Sequence, residues 1–415
     1  MARSPLTLAA SVTAALPRVT AVGVAPLSDG GAGRFDSAVV SLDDGRRVVV
    51  RAPRDDEAAA ELHAEANALR ALTPGVRAVL PFAAPEVLGE ASLGGPRALV
   101  ETYLRGYRVD AAHIPPGQGV ATSIAASLAR VHNLPHSVVR DAGLPVRTAE
   151  QVRDEAERLL DRAEATGRLP FGLLRRWSTA LADEELWRFE TTVVLGGAEP
   201  SSFLLEDVEG VPAVTGLLGW RGLSVGDPAV DLRWVASASA ARHDIFDTYA
   251  DQTHRTADAL LAERARLHAE FEFASWLVHG HTVGSESIVA DAVALLESLD
   301  ENVRDEPAFV REHVSADDAF AASDRVSRNQ SGPIDTSMQT DAFDADDLEA
   351  FGDDEPSSTV DQPTQPLEMS EWAARELAAR TPADPDIRHE AAAASAAVDP
   401  DEAARNALRR WTGTA

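Results

Sequence analysis

From position 19 to 103 apolar residues come in short runs cut by turn-forming residues. Runs at 19–27, 38–42 and 47–52 read as strands, with Val48-Val49-Val50 at the centre of the third. Asp43-Asp44-Gly45 supplies a hairpin turn between the last two. The period then changes. Ala60, Leu62, Ala66, Leu69 and Leu72 recur at helical spacing, which predicts a helix over 57–72. Two more strands fit 86–89 and 97–103. Upstream, residues 5–16 read as a helix, with Ser4 able to cap it and Pro5 suited to its first position. Beyond residue 104 helical patterns dominate, at 124–134, 149–166, 172–189 and from 230 to about 299. Short strands at 192–194, 203–206 and 214–218 interrupt them, and Glu209-Gly210 turns the last pair. The order predicts an α+β protein: a small antiparallel-sheet lobe over 1–103, then a helical lobe over 104–300.

The pattern fails after residue 300. Residues 301–365 carry 17 acids against 4 arginines, with Pro, Ser, Thr and Gln between them. Low hydrophobicity with high net charge does not repay ordering entropy, so 301–415 reads as a largely disordered acidic tail. Two short helices punctuate it, at 371–380 and 401–411, carrying Trp372 and Trp411.

Charge and composition remove several function classes. The net charge of −29 over 415 residues argues against nucleic acid and anionic membrane as partners. With no cysteine there is no disulfide, thiolate metal site or thiol nucleophile. All 38 basic residues are arginine, so lysine chemistry is excluded as well. No apolar run reaches the ~18 residues a membrane span needs. The segment 6–16 behind Arg3 is too dilute in apolar residues for a signal, and the reading is a cytoplasmic protein.

Two stretches carry the candidate chemistry. The first is Val194-Leu195-Gly196-Gly197-Ala198-Glu199-Pro200-Ser201-Ser202-Phe203. The second is Thr215-Gly216-Leu217-Leu218-Gly219-Trp220, followed by Gly226-Asp227-Pro228-Ala229-Val230-Asp231-Leu232. Together they resemble the catalytic core of the aminoglycoside/macrolide phosphotransferase family, whose first motif is roughly H-G-D-x-x-x-x-N and whose second is I-D-W. Leu128-Ala129-Arg130-Val131-His132 matches that family's L-A-x-x-H. The resemblance covers roughly 18–290. It implies a two-lobe, protein-kinase-like fold with its hinge at Leu104-Arg105-Gly106. It lays the catalytic Asp on Gly197, the metal-binding Asn on Ser202 and the metal-binding Asp on Gly219, so the chemistry looks removed from an intact frame. It makes Asp227 and Asp231 structural acids. It also makes Arg51 the phosphate-binding cation, paired with Glu65.

Several residues keep two readings. Gly30, Gly31 and Gly33 can bring backbone amides to a phosphate or simply turn a hairpin. Glu199 can replace the missing base or be a solvated loop carboxylate, as can Glu206 and Asp207. His279 and His281 lack a third ligand, so no metal site is assigned. The expected function is a catalytically degenerate, pseudokinase-like phosphotransferase relative that binds a small molecule or protein partner. ATP or GTP remains the candidate nucleotide, while magnesium is left without carboxylates. Two alternatives stand: an active ATP/GTP-dependent small-molecule kinase with displaced acids, and an interaction platform working through its tail.

Overall fold

The structure, a computed structural model, describes residues 3–27, 34–92, 97–256 and 258–306. The glycine-rich turn at 29–33 and the tail beyond 306 lie outside the described residues. The last helix among the described residues, Glu286–Val303, runs past 301, so the acidic shift in composition there does not itself stop the helix.

The first lobe is a five-stranded antiparallel sheet in the order β1-β2-β3-β5-β4. Its strands are β1 (Ala21–Pro26), β2 (Phe35–Leu42), β3 (Arg47–Pro53), β4 (Val87–Ala91) and β5 (Ala98–Thr102). The register of β2 and β3 pairs Val39 with Val49 and Val40 with Val48. Helix α1 (Pro5–Ala15) buries Leu8 and Val12 against one sheet face, among Ala38, Val40, Val50 and Val100. Helix α2 (Asp56–Ala71) packs Ala58, Leu62 and Ala66 with Phe35 and Leu99 of the other face. Val48 and Val50 face α1 while Val49 packs with Leu27 and Val39 on the other face, hence an apolar run with no alternation. Asp55 caps α2 by accepting from the Ala58 amide at 2.7 Å. A short helix, α3 (Pro74–Val79), follows it.

The second lobe is mostly helical. It holds α4 (Val120–His132), α5 (Ser137–Arg140), α6 (Ala149–Ala165), α7 (Phe171–Ala182), α8 (Arg242–Gln252), α9 (Leu261–Val283) and α10 (Glu286–Val303). Helix α7 stops well before the predicted residue 189. The Trp187 indole folds back to donate to the Ala180 carbonyl at 3.0 Å, and Asp183 accepts from the Glu185 amide at 3.0 Å. The predicted helical stretch from 230 is also broken. Pro228–Ser237 is 3-10 in form, started by Asp227 and Pro228, with the Trp234 indole donating to the Asp231 carbonyl.

Four short strands place the loops of interest. β6 (Thr192–Val194) pairs with β9 (Ser224–Gly226), a strand the sequence pattern did not reveal. β7 (Phe203–Val208) and β8 (Val211–Leu217) form a hairpin, with Glu209 at φ 55° in its turn. Tyr107 of the linking segment exchanges backbone hydrogen bonds with Leu205 of β7 at 2.9 and 2.8 Å, joining the segment between the lobes to the hairpin. Residues 195–202 are therefore held between β6 and β7, position 219 follows β8, and Asp227 follows β9. No helix among the described residues is long and apolar enough to cross a membrane.

Candidate functional site

The loop 195–202 rests on a buried carboxylate. Asp231 is fully buried in the 3-10 segment. Its Oδ2 accepts from the Leu195 amide at 2.6 Å, and its Oδ1 accepts from the amides of Gly197 (2.5 Å) and Ala198 (2.9 Å). The His132 Nε2 approaches Oδ2 at 3.1 Å, and His132 Nδ1 meets the Tyr249 hydroxyl at 2.7 Å. Burial works against this charge, but His132 and the loop amides outweigh it and hold the carboxyl below the usual range. Asp227 is built alike. It accepts from the Ala229 amide at 3.0 Å, takes two hydrogen bonds from Arg264 at 3.0 and 3.2 Å, and meets His268 at 3.0 Å. It too is held well below the usual carboxylate range against the pull of burial. Each carboxylate thus gathers several donors around one buried charge.

The opposite face of the loop lines a cleft between the lobes, with Gly197, Glu199, Ser202, Gly219, Arg233, Arg51, Glu65 and Glu101 among its walls. Gly197 has φ +108°, and a Cβ placed there would stand 2.5 Å from Nη1 and 2.7 Å from Cζ of Arg233. The guanidinium of Arg233 therefore occupies the space that a side chain at position 197 would need. Arg233 ion-pairs with Glu272 at 2.9 Å and with Glu199 at 3.6 Å, both through Nη2. Gly219 is left-handed at φ 75°, ψ 47° and faces Ser202, whose Oγ would lie 3.4 Å from a Cβ at 219. The two positions read as metal ligands thus do face one another. Between them they offer one neutral hydroxyl. Among the described residues no group of three His, Asp or Glu could hold a metal ion.

Across the cleft, Arg51 of β3 meets Glu65 of α2 at 3.7 Å, as the sequence suggested. Its closer partner was missed. Glu101 of β5 approaches Arg51 Nε at 3.1 Å and accepts from Nη2 at 3.2 Å. Glu101 looked like a plain strand residue, because nothing in its spacing marks a strand neighbour fifty residues away. Burial, opposed by Arg51 and helped by Glu65, raises its pKa. Glu65 also reaches the other lobe, where its Oε1 accepts from the Trp220 amide at 3.1 Å, immediately after Gly219. Of the remaining acids, Asp207 accepts from the Tyr107 hydroxyl at 3.0 Å, and Glu206 is exposed. Gly30, Gly31 and Gly33 cannot be placed, being outside the described residues.

Comparison with known proteins gives one consistent answer. A family profile described as "Phosphotransferase enzyme family" matches residues 29–280. The Bacillus subtilis (strain 168) protein described as "Uncharacterized protein YcbJ" is 28% identical over 202 residues, which cover 48% of this chain and 65% of that protein. The chain therefore spans slightly less than two thirds of that relative's length. Among solved structures, a "Macrolide 2'-phosphotransferase type I" is 25% identical with a TM-score of 0.57, covering 71% of this chain and 98% of its own. A macrolide 2'-phosphotransferase from Brachybacterium faecium is 23% identical with a TM-score of 0.57, over 68% and 95%. A GDP complex of aminoglycoside 2'-phosphotransferase-IIIa has a TM-score of 0.60 at 18% identity, over 72% and 99%, a likeness of fold.

Proposed function

The chain belongs to the phosphotransferase enzyme family, and on that premise we propose that its cleft binds a ligand without efficient phosphoryl transfer. The observation that carries this reading is what faces the cleft at three motif positions: glycine at 197 beneath a guanidinium, and glycine at 219 opposite the Ser202 hydroxyl. Phosphoryl transfer depends on positioning and on charge neutralisation by metal ions, with one carboxylate orienting the attacking hydroxyl. Magnesium takes hard oxygen ligands, usually one or two carboxylates. A hydroxyl facing a glycine does not fit that need. Loss of a positioned acid–base group alone costs about 10²–10⁴ in rate.

Glu199 is a poor substitute base on this reading, because its carboxylate pairs with Arg233 at 3.6 Å and a neighbouring cation lowers a carboxylate's basicity. The ligand to try first is a nucleotide, ATP or GTP, since one solved relative is a GDP complex. The acceptors to try are macrolides and aminoglycosides, for which the relatives are named. The test is nucleotide consumption in magnesium buffer against such a panel. The expected result is none above a protein-free control. Steady turnover near ~1 s⁻¹, the lower end for ordinary enzymes, would overturn the reading.

A further inference from the structure

The charge of the cleft runs against the charge of the chain. Acids exceed arginines by 29 overall, yet the cleft is lined by five arginines (34, 51, 108, 221 and 233) and four glutamates (61, 65, 101 and 199). Two of those cations are each held by a pair of carboxylates, Arg51 by Glu101 and Glu65 and Arg233 by Glu272 and Glu199, and both are largely buried. They differ in place: Arg51 lies on the sheet side between two buried glutamates, while Arg233 lies at the glycine loop. Both of its carboxylates make their closest approach to Nη2, while Nη1 is the nitrogen that lies over Gly197.

We propose that Arg233 is a seat for an oxyanion of the bound ligand, phosphoryl or carboxylate, at the point where the family motif puts a carboxylate. The proposal deepens the reading of a binding cleft and rests on it. A carboxylate at that point would accept a hydroxyl proton. A guanidinium does the reverse: it donates, and its planar fork matches the oxygens of phosphate or carboxylate. The main objection is that Glu199 and Glu272 already neutralise Arg233. The two ion pairs are unequal. At 3.6 Å the Glu199 contact is longer than a good charge-assisted hydrogen bond, so Glu199 is the partner that an incoming oxyanion would replace. Glu272, at 2.9 Å, anchors the guanidinium from one side. A ligand oxyanion would displace Glu199 and use Nη1. The guanidinium itself supplies the positive charge an oxyanion needs, so binding through it does not call for magnesium.

The test titrates pyrophosphate into the full chain by calorimetry, in buffer containing EDTA. The wild type is expected to bind. Arg233→Gln should weaken binding about tenfold, the worth of one charge-assisted contact. Arg233→Lys, which keeps the charge and loses the fork, should fall between. Glu199→Gln removes the competing carboxylate and should tighten binding; it also keeps the proposal testable if Arg233→Gln fails to fold. Failure of the wild type to bind overturns the proposal. So does a folded Arg233→Gln that binds like wild type, or a Glu199→Gln that binds more weakly or no differently. The two readings fail separately. Magnesium-dependent nucleotide turnover in the same samples sinks the reading of a non-transferring cleft and leaves the seat standing. No turnover, with Arg233→Gln unchanged in affinity, sinks the seat alone.

Discussion

The two faces of the loop 195–202 differ in kind. The buried face is a closed hydrogen-bond network in which Asp231 takes three loop amides and His132, and His132 in turn meets Tyr249. The cleft face has no side chain at 197 or 219, a hydroxyl at 202 and a guanidinium lying over the first glycine. Changing Asp231 would take the acceptor from three loop amides at once, which ties the first face to folding. The cleft face carries no such obligation. On the reading proposed above, the frame of a phosphoryl-transfer site and its reactive groups are separable, and this chain keeps the frame.

The largest effect should come from the buried face. Asp231→Asn leaves an amide group among four donors and removes a paired buried charge. It should cost roughly 3–5 kcal/mol of stability, read by denaturant unfolding. A loss below about 1 kcal/mol would mean that Asp231 does not hold the loop.

On the cleft face, Gly197→Asp should cost about 1–3 kcal/mol, since φ +108° is strained for any side chain and Arg233 must move. In an Arg233→Ala background the cost should shrink; an equal cost in both would show that the guanidinium is not the obstacle. Restoring Gly197→Asp, Ser202→Asn and Gly219→Asp together should yield turnover only when Arg233→Ala is added, because such groups act as a unit.

Gly219→Asp alone should be milder, below about 1 kcal/mol. Aspartate tolerates the left-handed region, and the nearest atom would be Ser202 Oγ at 3.4 Å. The smallest effect is in pH. Asp227 and Asp231 sit below their usual range when folded, so the stability they confer is present above the unfolded carboxylate value near ~4 and lost as pH falls. Glu101 is raised, so its contribution has the opposite sign and fades as pH rises through its folded value. Urea midpoints across the acid range should rise with pH in the wild type, and the rise should flatten in Asp231→Asn.

Much of the frame was legible in the sequence. The valine run of β3 and the helical spacing of α2 reported their own burial, and the segment from Gly226 to Leu232 marked both structural carboxylates. Strand β9 was missed because Ser224-Val225-Gly226 has one β-branched residue and a glycine, whereas the equally short β6 reads Thr192-Val193-Val194. Helix α7 was overrun because its end is set by Trp187 turning back on Ala180, a contact that no local pattern encodes. Arg233 was missed for the same kind of reason. It meets Gly197 from 36 positions away, and a lone arginine after Asp231 gives no signal of which loop it will cover. Glu101 escaped because pairing across neighbouring strands depends on register, which the sequence leaves open.

The most direct test of the central claim is to follow the terminal phosphate of ATP and of GTP by phosphorus NMR. The wild-type protein would be held at high concentration with magnesium and an acceptor panel of macrolides and aminoglycosides. The terminal-phosphate signal should persist at the protein-free rate, and no new phosphoester signal should grow. Magnesium-dependent loss of that signal, matched by a phosphorylated acceptor, would contradict the account.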